Sequence, residues 1–165
     1  MRYNKIRKMD ISNGPGVRVS IFLQGCDFHC EDCFNPETHD FDGGEVFDQA
    51  VIEKLLDLSD KEYICGLSIL GGEPLHRVNK DATRILSKAF KERFPDKTVW
   101  IWTGSVLDMD KLKSETFDDI DVVVDGPFVK ELKNPMLKYM GSSNQRPIDV
   151  KRSRRLDTII LYEQE

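Results

Sequence analysis

Three cysteines fall within eight residues in the stretch Gly25-Cys26-Asp27-Phe28-His29-Cys30-Glu31-Asp32-Cys33-Phe34-Asn35. Thiolates are soft, anionic ligands, and what a short loop of them collects is zinc, copper(I) or an iron–sulfur cluster. A 4Fe–4S cluster held wholly by protein takes four cysteines, and a closed structural zinc takes four Cys or His ligands. The local count stops at three: Cys26, Cys30 and Cys33. A cluster on three thiolates keeps one iron open, and an open position marks catalytic use. Two plainer readings stand beside this one. Disulfides are the weaker, because three cysteines cannot pair among themselves and nothing else points to secretion. Zinc is the stronger, because His29, His39 or the distant Cys65 could supply a fourth ligand.

A second group is Gly71-Gly72-Glu73, which follows an apolar run. Glycines after a strand often only permit a tight turn. After a strand whose predecessor leads into three cysteines, they also let backbone approach a ligand, and the Glu73 carboxylate can accept hydrogen bonds from an ammonium group. The other candidates are weaker. Cys65 reads as a packed core thiol, and His29 as a solvated or loop-bonded histidine. His39 and His76 show no partner pattern. Trp100 and Trp102 share one strand face, and Lys151-Arg152-Ser153-Arg154-Arg155 is a basic run whose ordinary role is solvation.

Several elements must position these groups. Val17–Leu23 is β-branched and apolar, reads as a first strand, and runs straight into Gly25-Cys26. Residues 47 to 58 pair Val51 with Leu55 and Ile52 with Leu56 at helical spacing, with Asp48 as a cap. Strands are expected at 66–70, 98–102 and 120–124. Helices are expected at 80–94, with Ile85, Leu86, Ala89, Phe90 and Phe94 on one face, and at about 107–117. The tail turns irregular through Asn134-Pro135 and residues 141–147, and a last strand is expected at 158–162. Alternation of strand and helix argues for an α/β fold with a parallel sheet and right-handed crossovers. Four strands end at Gly25, Gly71, Gly104 and Gly126, and ligands of parallel α/β folds lie at the carboxyl ends of strands. Because a full eight-stranded barrel takes about 250 residues, the expected architecture is a partial, open β/α barrel.

The 165 residues read as one domain spanning 1–165, long enough to bury a core. A net charge of −5 supplies no basic field for nucleic acid. No apolar run reaches the length of a membrane span, and the N-terminus lacks the apolar core of a signal peptide. The expected compartment is the cytoplasm, whose reducing poise keeps thiols available for metal.

The Cys-x3-Cys-x2-Cys loop followed by Gly71-Gly72-Glu73 resembles the radical SAM enzymes. Asn13-Gly14-Pro15-Gly16, a strand and the cysteine loop together resemble the glycyl-radical-enzyme activases. Trp100-Ile101-Trp102-Thr103-Gly104, Val123-Val124-Asp125-Gly126 and Gly141-Ser142-Ser143-Asn144-Gln145 resemble one branch, the activating proteins of the anaerobic ribonucleoside-triphosphate reductases. The resemblance covers residues 3 to 147. It implies one 4Fe–4S cluster on Cys26, Cys30 and Cys33, with S-adenosylmethionine chelating the fourth iron and oriented by Gly71, Gly72 and Glu73. It implies reductive cleavage to methionine and a 5′-deoxyadenosyl radical, which takes a hydrogen atom from a glycine of the reductase. The electron would come from an external donor of flavodoxin type. Many radical SAM proteins place an aromatic residue directly before the third cysteine, against the adenine. Here Asp32 stands in that place, with aromatics at Phe28 and Phe34, so the adenine contact is expected within residues 32–34 (Asp32, Cys33, Phe34). Activation of another glycyl-radical enzyme, of the pyruvate formate-lyase type, and a non-catalytic zinc module are the alternatives.

Overall fold

The first four apolar runs expected as strands are strands, and they lie side by side in parallel. The computed structural model describes residues 1 to 163. Its sheet contains β1 (Arg2–Asp10), β2 (Val17–Leu23), β3 (Glu45–Val46), β4 (Ile64–Gly71), β5 (Thr98–Trp102), β6 (Val122–Asp125) and β7 (Arg146–Asp149). Their spatial order is β3-β1-β2-β4-β5-β6-β7, and β2, β4, β5 and β6 are mutually parallel. Strands β1 and β7 run antiparallel to these at the flanks, and β3 pairs antiparallel with β1, so the fully parallel sheet expected above is corrected to a mixed one.

Strand β1 precedes the run expected as the first strand, and its sequence hides it. Lys5 and Arg7 place their cationic ends 4.7 and 4.8 Å from the Phe22 ring centroid, so polar residues cover an apolar one. Pro147 is tolerated in β7 because that strand forms an edge. The segment at 158–162, expected as a strand, makes only a single bridge between Leu161 and Ile148. Its backbone still follows β7, with Asp149 N–H donating to Ile160 O at 2.9 Å and Tyr162 N–H to Pro147 O at 2.7 Å.

Four helices connect or follow the strands: α1 (Gln49–Ser59), α2 (Lys80–Arg93), α3 (Met109–Leu112) and α4 (Val150–Leu156). Asp48 caps α1 by accepting from Val51 N–H at 3.1 Å, as its position predicts. In α2 the buried face is Ala82, Thr83, Leu86, Ser87 and Phe90, whereas Ile85, expected on that face, is exposed. The expected helix at 107–117 is broken into α3 and a 3-10 turn at 115–117. The basic run 151–155 lies within α4, capped by the Asp149 carboxylate.

Strand alternation divides the sheet into two faces. Val19, Ile21 and Leu23 of β2, Leu67 and Ile69 of β4, Val99 and Ile101 of β5 and Val123 of β6 pack with Val51, Leu55, Leu86 and Phe90 of α1 and α2. The opposite face carries Arg18, Ser20 and Phe22, then Ser68 and Leu70, then Trp100 and Trp102, then Val122 and Val124. Trp100, Val122 and Val124 form a second cluster with Trp102, Tyr139, Met140 and Tyr162. At its lower end the Arg18 guanidinium is fully buried, and burial lowers its pKa to about 10. It is held by Ser68 Oγ, Thr98 Oγ1 and the carbonyls of Pro15, Leu67 and Thr98, at 2.8 to 3.3 Å. Five contacts match the five N–H groups of a guanidinium, so a buried cation is tolerated without a carboxylate against it.

Candidate functional site

The carboxyl ends of β2, β4, β5 and β6 open onto one cavity of about 510 Å³. Cys26, Cys30, Cys33, Phe34, Gly71, Gly72 and Glu73 all line it, together with Phe28, Trp102 and Thr103. Asp32 does not: its side chain is exposed and paired with Lys130 at 3.3 Å. Within the cysteine loop His29 and Asp32 adopt left-handed backbone, with φ of 46° and 57°. These residue types tolerate that region, and two such bends in four residues curl the loop so that all three sulfurs reach one cavity.

The thiols are half-buried. Burial pushes the Cys26 thiol up, opposed by the backbone N–H groups of Phe28 and His29. Burial likewise raises Cys33, opposed by Asn35 N–H, which lies 3.4 Å from the sulfur. Such N–H groups aimed at sulfur stabilise a thiolate or a metal-bound thiolate, and a soft metal releases the proton that burial would otherwise retain. Among the described residues no three His, Cys, Asp or Glu side chains are gathered tightly enough for a single metal ion. Cys65 cannot supply a fourth ligand, because six residue steps along β4, about 20 Å of strand, separate it from Gly71. It is exposed rather than packed, on the same strand but at the other end. His29 and His39 contact each other through their Nδ1 atoms at 3.2 Å.

Glu73 is 4% exposed, and burial raises its pKa. Its carboxylate accepts from Thr103 Oγ1–H at 2.6 Å, Gly104 N–H at 2.7 Å and Leu75 N–H at 3.0 Å, joining the turns after β4 and β5. The two glycines before it serve backbone-to-backbone approach. Gly71 has φ of 101°, and a Cβ on Gly72 would lie 2.5 Å from Gly25 O. Gly72 N–H donates to Leu23 O and Glu73 N–H to Gly25 O, both at 2.8 Å. The Gly-Gly-Glu turn is thus seated directly on the segment that leads into the cysteines.

The remaining rim is built from the later motifs. Buried Asp125 accepts a bidentate pair from Arg146 at 3.0 and 2.6 Å and a bond from Leu107 N–H at 2.8 Å. Gln145 accepts from Gly141 N–H and donates to Gly126 O, while Asn144 donates to Pro127 O. The Gly-Ser-Ser-Asn-Gln segment therefore fastens the chain after β6 back onto its own turn. Between these points residues 128–141 cover one side of the cavity. Phe128 packs on Phe34 at 4.9 Å, and Trp102 Nε1–H donates to Tyr139 O at 2.8 Å.

Three contributors escaped sequence reasoning. Gln24 donates to Glu37 O and Asp40 O and so closes the base of the cysteine loop. His76 accepts from Val78 N–H at Nδ1, which leaves its proton on Nε2, 2.9 Å from Asp27 Oδ2. Asn79 faces the backbone between the two motifs. Each is a single polar residue acting on chain remote in sequence, so no spacing pattern announces it.

A family model described as a 4Fe-4S single cluster domain matches residues 12–148. The chain is 38% identical over 148 residues to the anaerobic ribonucleoside-triphosphate reductase-activating protein of Salmonella typhimurium, covering 88% of this chain and 96% of the relative. It is 37% identical over 148 residues to the protein of that name from Vibrio cholerae, with the same coverage. It is 38% identical over 146 residues to that of Enterobacteria phage T4, covering 88% of this chain and 92% of the phage protein.

Proposed function

The chain belongs to the family of anaerobic ribonucleoside-triphosphate reductase-activating proteins, and from that membership we propose that it generates the glycyl radical of such a reductase, using S-adenosylmethionine and one 4Fe–4S cluster. The observation that carries the reading is the shared cavity, where three thiols and the Gly-Gly-Glu turn face one another at the ends of β2 and β4. The donor set fits the cluster: three half-buried sulfurs, two with backbone N–H groups directed at them.

In this reading Cys26, Cys30 and Cys33 hold the cluster, and Gly71, Gly72 and Glu73 form the wall against the amino-acid end of S-adenosylmethionine. When bound, the cluster supplies the electron that lets S-adenosylmethionine yield a carbon radical able to take a hydrogen atom from glycine. The chain binds, orients and excludes water. Glu73 presents its negative charge to the cationic cofactor, and its three protein donors lock the β4 and β5 turns while doing so. Phe28 and Phe34 supply apolar walls, and residues 128–141 shield one flank. We read the sheet as a partial β/α barrel within one domain. Arg7 of β1 and Gly126 after β6 border the same cavity, which favours a sheet curled around it. The partner's glycine suits close approach because it has no side chain. No helix is long and apolar enough to cross a membrane among the described residues, and the activity belongs in a reducing cytoplasm with a flavodoxin-type electron donor.

The test is anaerobic incubation of the reconstituted protein with the reductase, S-adenosylmethionine and reductant. The expected result is an organic radical on the reductase that needs every component. A radical on a pyruvate formate-lyase-type partner and none on the reductase would overturn the assignment of partner.

A further inference from the structure

We propose that Asn79 is a positioning residue that fixes the angle between the cysteine loop and the Gly-Gly-Glu turn, and thereby sets affinity for S-adenosylmethionine without setting cluster content. The inference deepens the functional reading above and rests on it.

Asn79 is 1% exposed and occupies the N-cap position of α2, yet its side chain makes no capping bond. An asparagine there ordinarily turns its oxygen to the free N–H groups of the first turn. Here Nδ2 instead faces three backbone carbonyls: Gln24 O at 3.1 Å, Gly25 O at 3.4 Å and Glu73 O at 3.1 Å. Two belong to the segment that enters the cysteine loop, and one to the Gly-Gly-Glu turn. Buried Oδ1 has no partner among the described residues. Rotating the amide would offer Oδ1 to three carbonyl oxygens, so the orientation follows from electrostatics. The residue forgoes its capping bond, and the donor role is what it retains.

The backbones of the two motifs are otherwise linked by Gly72 N–H to Leu23 O and Glu73 N–H to Gly25 O, both leaving the β4 turn for the end of β2, while the His76 side chain reaches Asp27 at the exposed rim. Two bonds along one seam define a hinge line. Asn79 Nδ2 ties the Gln24 and Gly25 carbonyls on one motif to the Glu73 carbonyl on the other, a side-chain clamp that restrains rotation about that line. Cluster loading needs the cysteine loop alone, whereas cofactor binding needs the loop and the turn at one fixed angle. Loss of Asn79 should therefore separate the two properties.

The experiment uses the full chain, reconstituted anaerobically, as wild type, Asn79→Ala, Asn79→Asp and Asn79→Ser. Iron and sulfide per chain, thermal midpoint and S-adenosylmethionine affinity by equilibrium dialysis are measured for each. Ala is expected to weaken affinity by about 10- to 100-fold, the range seen when an outer partner of a metal site is removed, with iron content unchanged. Asp is expected to bind more weakly than Ala, although it matches Asn in shape and is the better helix cap. Ser, which keeps one donor, is expected between Ala and wild type. A space-filling role would favour Asp over Ala and contradict the proposal. Equal affinity in all four proteins would overturn it. So would affinity losses that track lost iron or folding in every variant. Wild-type protein that carries the cluster but does not bind S-adenosylmethionine would instead overturn the functional reading itself, and this inference with it.

Discussion

Gly72→Ala tests the close approach of the two motifs directly. The added methyl group would meet Gly25 O at 2.5 Å and Gly25 C and N at 3.0 Å. Ordinary contact lies near 3.5 Å, so the turn and the β2 exit must part by about 1 Å. The obstacle is backbone and cannot swing aside. Gly25 O is engaged by Glu73 N–H at 2.8 Å and by Asn79. Parting by that amount takes the bonds Gly72 N–H to Leu23 O and Glu73 N–H to Gly25 O from 2.8 Å to about 3.8 Å, outside hydrogen-bond range. Two lost bonds at about 1 kcal/mol each, with a buried carbonyl left poorly satisfied, give about 2–3 kcal/mol. Gly72 does not occupy left-handed backbone, so the whole loss comes from contact. Urea unfolding of the full chain under reductant reads the stability change. The rate of radical formation on the reductase by the reconstituted protein should also fall by about 100-fold, the scale of a 1 Å misplacement. Gly104→Ala is the control, because its methyl group would meet the Phe28 ring at 2.7 Å, and that half-exposed side chain can turn away. If Gly72→Ala proves as stable as Gly104→Ala, the turns do not constrain one another as described.

Asp125→Ala should cost about 2 kcal/mol in chemical denaturation, because it leaves a buried Leu107 N–H unpaired and the part-exposed Arg146 guanidinium with Leu107 O alone; a loss below about 0.5 kcal/mol would show that the pair is dispensable. Glu73 is raised by burial above its unfolded value near 4.5. The native state therefore holds the extra proton between the two values, and stability falls as pH rises from about 4.5 through the folded pKa. Glu73→Gln should flatten that segment of the stability curve, and an unchanged slope would contradict the assignment. Cys26→Ser, Cys30→Ser and Cys33→Ser should each bring reconstituted iron well below half of wild type, whereas Cys65→Ser should leave it unchanged. Iron loss in Cys65→Ser equal to the others would contradict the separation along β4.

What the sequence disclosed and what it concealed have physical causes. Strands β2, β4 and β5 are visible because they are buried on both faces and reach a glycine at or within two residues of their ends, so apolar runs and punctuation coincide. Strand β1 is concealed because Lys5 and Arg7 cover Phe22 with their stems, which erases apolar alternation. Helix α4 is concealed because a basic run reads as solvated surface, although Val150 and Ser153 are buried. In the site, the cysteines and Gly-Gly-Glu stand out by local spacing. The role of Glu73 in bracing Thr103 and Gly104 does not, since its partners lie thirty residues on and follow another strand. Asn79 and Gln24 act through side-chain amides on backbone carbonyls, and backbone carries no residue-type signal.

In the proposed reading three thiolates hold a cluster with which S-adenosylmethionine communicates directly. Electron paramagnetic resonance of the anaerobically reconstituted, dithionite-reduced protein, recorded with and without S-adenosylmethionine, tests it most directly. The account predicts a reduced-cluster signal that changes shape on adding S-adenosylmethionine. Stoichiometric zinc with no cluster signal after reconstitution, or a cluster signal indifferent to S-adenosylmethionine, would contradict it.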